Sequence, residues 1–159
     1  MNKDAIVREI IAALAAELEV CARSARDAHA YATDEQCKAE NKYDTRGLES
    51  SYLAHGQARQ AAEVLHAMHQ YEALAVRQFA AQEPVHVGAL VELERKGERV
   101  AYFIGPGAGG TEIVCEGRPV LVITPQSPMG RQLVGRVRGE NLEIKVGGAS
   151  DRYRVAAVA

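Results

Sequence analysis

The chain has 159 residues, of which 47% are hydrophobic and 25% charged, and its formal net charge is −2. This is the composition of a globular protein with one ordinary domain or two small ones. It excludes a global basic field for gripping duplex nucleic acid, and no apolar run reaches the 18 residues of a membrane span.

The first residues run straight into an amphipathic pattern without the apolar core of a signal peptide. The three cysteines, Cys21, Cys37 and Cys115, are odd in number and far apart. Both features lead to the expectation of a cytoplasmic protein with free thiols. Trp is absent and only two Phe are present, so the expected core is aliphatic.

A helical pattern runs from Lys3 to Ala32. Ile6, Ile10, Leu14, Leu18, Cys21, Ala25, Ala28 and Ala32 fall at steps of three and four, close to a coiled-coil seam. A second pattern runs from Leu48 to Val76, with Ala54, Ala58, Ala61, Leu65 and Met68 as its seam. Small residues lie toward the middle of both runs and large ones toward the far ends, which suits antiparallel pairing. Two arms of about 30 residues would make a rod about 45 Å long. An ordinary bundle or a dimerising coil fits the same spacing.

The turn of such a hairpin falls on 34–47. Thr33 to Gln36 fits a capping box. Asp34, Glu35, Glu40, Asp44 and Glu49 make the segment dense in carboxylates, the preferred ligands of Mg²⁺. Lys38, Lys42 and Arg46 are placed to pair with them, and a solvated acidic cap is the plain alternative. His66 and His69 lie at i, i+3 with nothing to complete a metal site, and packing or solvation explains them.

Pro84 marks a change of character. Val85 to Leu93 reads as a strand, Lys96-Gly97-Glu98 as a hairpin turn, and Arg99 to Ile104 as its return. Gly105 to Gly110 lacks the Lys-Ser/Thr ending of a phosphate loop and reads as a mobile loop between strands. Glu112 to Cys115 and Pro119 to Thr124 follow as strands. Ser127 caps a short helix with Pro128 in its first turn. Leu142 to Val146, a Gly147-Gly148 turn and Arg152 to Val158 close the domain as a hairpin. The expected fold is α+β in two domains: a coiled-coil hairpin over 1–81 and a single small antiparallel sheet with one short helix over 84–159.

The run Ser127-Pro128-Met129-Gly130-Arg131-Gln132-Leu133-Val134-Gly135 resembles the Ser-Pro-hydrophobic-Gly/Ala-Arg-x-Leu-hydrophobic-Gly signature of the GreA/GreB family of bacterial transcription elongation factors. Glu40-Asn41-Lys42-Tyr43 resembles its Glu-Asn-Ala-Glu-Tyr tip with one residue missing. The resemblance implies an FKBP-like C-terminal domain that docks on RNA polymerase, with Ser127, Pro128, Met129, Gly130 and Arg131 as binding candidates. It implies a coiled coil entering the polymerase secondary channel as a monomer, with no duplex DNA or membrane bound. The tip acids Glu40, Asp44, Glu35 and Asp34 would assist the polymerase, Glu40 through a Mg²⁺ ion shared with its active site. Lys42 and Arg46 would contact the backtracked RNA 3′ end. The factor would be no enzyme itself, since any RNA cleavage is the polymerase's own. Where the family carries an Asp three positions before the tip Glu, this chain has Cys37, a poor Mg²⁺ ligand at neutral pH. The resemblance thus leaves two versions, a cleavage stimulator and a channel-occupying modulator. The alternative outside transcription is an FKBP-like protein-binding or chaperone module with a helical arm.

Overall fold

The computed structural model describes residues 1–33, 46–80, 82–146 and 149–159. Two long helices, α1 (Lys3–Thr33) and α2 (Arg46–Glu72), precede a six-stranded sheet: β1 (Leu90–Arg95), β2 (Glu98–Ile104), β3 (Glu112–Cys115), β4 (Arg118–Ile123), β5 (Asn141–Val146) and β6 (Ala149–Val158). A single turn of helix, α3 (Gly130–Leu133), lies between β4 and β5. The chain is therefore α+β, with the expected order of four strands, a helix and two strands. It forms two compact units, one of Met1–Ala13 with His69–Ala159, the other Leu14–Met68.

In the second unit α1 buries Leu14 and Cys21, as its apolar spacing requires. The phase of α2 differs from the sequence reading. Val64 and Ala67 are buried, while Leu65 is 41% exposed and Ala58 is exposed. Ala58, Ala61 and Leu65 form one apolar stripe and Val64, Ala67 and Tyr71 another roughly 100° away, so spacing alone does not select a face. Gln60 Nε2 donates to Glu17 Oε1 at 3.2 Å and ties the two helices along their polar sides. The helix also ends at Glu72, four residues before the expected Val76.

In the first unit Asn2 caps α1, its side-chain oxygen accepting from the Asp4 N–H at 2.9 Å. Lys3 is buried and donates to the carbonyls of Arg77 and Gly88. Its ammonium also lies 4.7 Å from the Phe79 ring centroid, and Arg77 stacks on the same ring at 4.1 Å. Burial, then the Arg77 charge, push Lys3 below the ordinary lysine range, against the opposing pull of Asp4 and Glu83. Glu83 accepts from Arg77 and from the Ala80 N–H. The Arg77 hydrogen bond comes first among the causes that lower its carboxyl to about 2. The segment joining α2 to the sheet is thus fixed by one cation, one aromatic ring and one ion pair.

The sheet order is β3-β4-β2-β1-β6-β5. It is mixed, which corrects the antiparallel expectation: β2 and β4 run parallel, with Tyr102 opposite Leu121. The chain leaves β2, skips one place to lay down β3, and returns through β4 into the gap. Two-residue turns at Lys96-Gly97 and Glu116-Gly117, all four residues at positive φ, match the twist of the hairpins they close. The strand expected over Val85 to Leu93 begins only at Leu90. Before it, Val85 bonds to Gly135 and Arg136 instead of a strand, and Ala89 N–H closes a turn onto the His86 carbonyl.

One face of the sheet carries the main core, where Val91, Leu93, Tyr102, Ile104 and Val155 pack with Phe79, Val85 and Leu133. On the other face Phe103, Val120 and Val122 are buried. Tyr71 of α2 sits there, its ring 6.4 Å from that of Phe103 and its hydroxyl donating to the Gly107 carbonyl at 3.0 Å. Burial raises the Tyr71 phenol well above its usual value, so it remains a donor. The ring fits because residue 105 is glycine: a Cβ there would lie 1.9 Å from the Tyr71 hydroxyl and 2.9 Å from Val122. Further bonds from Gly105 to Ile123 and from Gly110 to Val122 tie the 105–110 loop to β4.

Two consequences are measurable by denaturant unfolding. Gly105→Ala overpacks this contact and destabilises by about 1–3 kcal/mol. Tyr71→Phe alone costs about 1 kcal/mol for its hydrogen bond. Together the two cost less than their sum, because removing the hydroxyl relieves the clash; strict additivity would refute the contact. The second concerns acid. Between the ordinary carboxyl value of 4.5 and about 2 the folded Glu83 stays ionised while the unfolded one is protonated. Stability therefore falls as pH drops through this window, and Glu83→Gln gives a flatter acid limb than wild type.

Candidate functional site

The segment after β4 is held by its own side chains. Ser127 Oγ donates to the Thr124 carbonyl at 2.8 Å and accepts from the Gly130 N–H at 2.9 Å. The Arg131 N–H bonds the Ser127 carbonyl at 3.0 Å, which starts the helical turn at the serine although α3 proper begins at Gly130. Ser127 thus caps the turn as its sequence position predicts, with Pro128 in a place that needs no N–H.

Gly130 is buried against the strand end. A Cβ at this position would lie 1.9 Å from the Thr124 carbonyl oxygen, so the turn closes onto β4 only with glycine. Leu133 is fully buried, and Met129 and Val134 pack against the main core. Pro128 and Arg131 face solvent. Arg131 Nε donates to the Gln126 carbonyl at 2.9 Å, leaving its terminal nitrogens available. Three of the five binding candidates, Ser127, Met129 and Gly130, therefore shape the turn, and the other two are presented by it.

Gln132, the variable position in this run, has a role that the sequence reading missed. Its side-chain amide accepts from the Lys145 N–H at 3.0 Å and donates to the Lys145 carbonyl at 3.2 Å. β5 is an edge strand, and this amide occupies part of its open edge as a neighbouring strand would. Only the pairing of sequence-distant residues reveals it; no local motif carries the signal.

The acidic candidates Asp34, Glu35, Glu40 and Asp44, with Cys37 and Lys42, lie outside the described residues. Arg46 is the first residue of α2. His66 and His69 are exposed, as a solvated pair should be. Among the described residues no cluster of three or more His, Cys, Asp or Glu is arranged to hold a metal, and no helix is long and apolar enough to cross a membrane. Cys21 and Cys115 are buried free thiols.

No protein-family model and no curated protein matches the chain. Among solved structures it is similar to GreA factor homolog 1 (Gfh1) of Thermus thermophilus, with 22% identity over 94% of each chain and a TM-score of 0.39. It is similar to Gfh1 of Thermus aquaticus, with 22% identity over 91% of this chain and 90% of that one and a TM-score of 0.39. It is also similar to the prokaryotic transcription elongation factor GreA/GreB from Nitrosomonas europaea, with 18% identity over 74% of this chain and 94% of that one and a TM-score of 0.35.

The turn makes a graded prediction. Ser127→Ala costs about 1 kcal/mol, the value of a lost cap. Gly130→Ala costs more, about 1–3 kcal/mol, because its obstacle is backbone. Pro128→Ala and Arg131→Ala stay within about 0.5 kcal/mol of wild type. Thermal unfolding of the four variants checks the order, and an Arg131→Ala cost equal to that of Gly130→Ala would contradict this assignment.

Proposed function

We propose that the chain is a Gre-like transcription elongation factor that binds RNA polymerase at the secondary channel and modulates backtracked or paused complexes. The observation that carries this reading is the turn at 127–133. There the residues resembling the Gre signature form one self-capped unit that fixes Gly130 on β4 and presents Pro128 and Arg131. The α+β order of two long helices before a sheet is compatible with this reading.

In this reading 84–159 is an FKBP-like docking domain and 1–81 a coiled-coil hairpin that carries 34–47 into the channel. Glu40 would supply a ligand to a Mg²⁺ shared with the polymerase, with Asp34, Glu35 or Asp44 assisting, because a loosely held cation needs added carboxylate charge. Lys42 and Arg46 would meet the RNA 3′ end. Cys37 in place of an acid favours the modulator over the cleavage stimulator. The factor acts as a monomer in the cytoplasm, without catalysis of its own.

The test is transcript cleavage on artificially backtracked polymerase, with wild type, Cys37→Asp, Glu40→Ala and Arg131→Glu. Wild type is expected to be silent yet to compete with an active cleavage factor. Cys37→Asp gains stimulation that Glu40→Ala in the same background removes. Arg131→Glu weakens competition about tenfold, or roughly 1.4 kcal/mol. Stimulation by wild type that Glu40→Ala abolishes would replace the modulator with the stimulator. Absence of both cleavage and competition would sink the polymerase reading.

A further inference from the structure

We propose that the open face of β1, β6 and β5 is a docking groove for an acidic polypeptide segment. This inference stands on the sheet alone and does not depend on the polymerase reading.

Two cavities of about 470 and 360 Å³ open beside these strands and share Glu94 and Arg154 in their linings, so they adjoin as one groove. Beside it Arg99, Arg152 and Arg154 share the sheet face of Glu94 and Glu143, Arg138 lies in the turn before β5, and Arg95 and Tyr153 alternate onto the core face, in a chain whose net charge is −2. The carboxylates are already engaged: Glu94 lies 3.8 Å from Arg99, and Glu143 accepts from Ser150. Arg95 is spent on Asp151 at 2.8 Å. Arg138, Arg152 and Arg154 are exposed and make no ion pair among the described residues. Three arginines with unused forks are well suited to carboxylates and poorly explained by folding.

The register sets their spacing. Arg154 lies between Glu94 on β1 and Asn141 on β5, and Arg152 lies opposite Glu143. Arg152 and Arg154 share one face at a repeat of about 7 Å, the repeat of alternate side chains on an extended peptide. Across the strands, from Arg99 on β2 to Asn141 on β5, the face is about 14 Å wide, which leaves room for an extended chain laid along β6.

A single-stranded nucleic acid would also bring negative charge, but it relies on aromatic platforms for its bases. The one aromatic residue lining the groove, Tyr153, packs toward the main core with the Arg95 guanidinium over its ring at 5.8 Å. Charge complementarity without stacking therefore selects the acidic polypeptide.

The test uses the full chain and a fluorescein-labelled ten-residue glutamate peptide, read by fluorescence anisotropy at low salt, with oligouridine of equal charge as the comparison. Wild type is expected to bind the peptide more tightly than the oligouridine. Arg138→Glu with Arg154→Glu lowers peptide affinity at least about tenfold, which is roughly 1.4 kcal/mol. The control pair Arg23→Glu with Arg26→Glu, on exposed α1 positions, leaves it unchanged. Arg152→Glu serves as an independent third variant, and far-UV circular dichroism confirms that each variant is folded. The proposal is overturned by absent peptide binding, by equal loss in the control pair, or by tighter binding of oligouridine.

Discussion

The first compact unit depends on a contact that is possible only in the absence of one methyl group. Tyr71, near the end of α2, lies in the space that a side chain at residue 105 would occupy. Its ring packs by Phe103 and its hydroxyl satisfies the Gly107 carbonyl, so one residue contributes apolar burial and closes a loop as well. A buried phenol without a partner would cost more than its ring gains, and the hydrogen bond removes that cost. The register then follows: the loop after β2 is held where its glycines meet Ile123 and Val122 on β4. The parallel pairing of β2 with β4 is continuous with this anchored loop.

A second constraint sits where the chain passes from helix to sheet. Lys3 arrives from α1, Arg77 and Glu83 from the connecting segment, and Phe79 from the core. A buried lysine is ordinarily unfavourable. Here its ammonium has two carbonyls and an aromatic face, which repay much of the lost hydration. Arg77 also lies over this ring and is itself neutralised by Glu83. Electrostatics thus helps to define the path of the segment between α2 and β1.

Different parts of this architecture were legible in the sequence to different degrees, for physical reasons. The Ile6, Ile10 and Leu14 seam of α1 was legible because large apolar residues at helical spacing leave one face to bury. The seam of α2 is ambiguous because its Ala58–Leu65 stripe and its Val64–Tyr71 stripe are both apolar, and distant partners decide which one is buried. β1 was extended too far upstream because Val85, Val87 and Ala89 alternate as a strand does. In the fold Val85 and Ala89 are buried from a turn instead. The mixed sheet was illegible, since hairpin signals report neighbours in sequence and not which strand fills a gap. The Ser127 cap was readable because its bonds are local. The Gly130 and Gln132 contacts were not, because their partners Thr124 and Lys145 meet them only after the sheet has formed.

The same distinction explains why the candidate site divides as it does. Residues that bond within a turn are constrained by folding, so Ser127 and Gly130 say more about structure than about recognition. Residues whose polar groups remain unspent are what a partner can read, and they are Arg131 at the α3 turn, Arg138 in the turn before β5, and Arg152 and Arg154 on the sheet. Folding does not account for these charges: surface arginines without partners add little stability, and clustered ones repel. Their grouping on one unit of a net-negative chain therefore bears on binding. An electropositive face of this kind speeds the approach of an acidic surface and orients it before short-range contacts form.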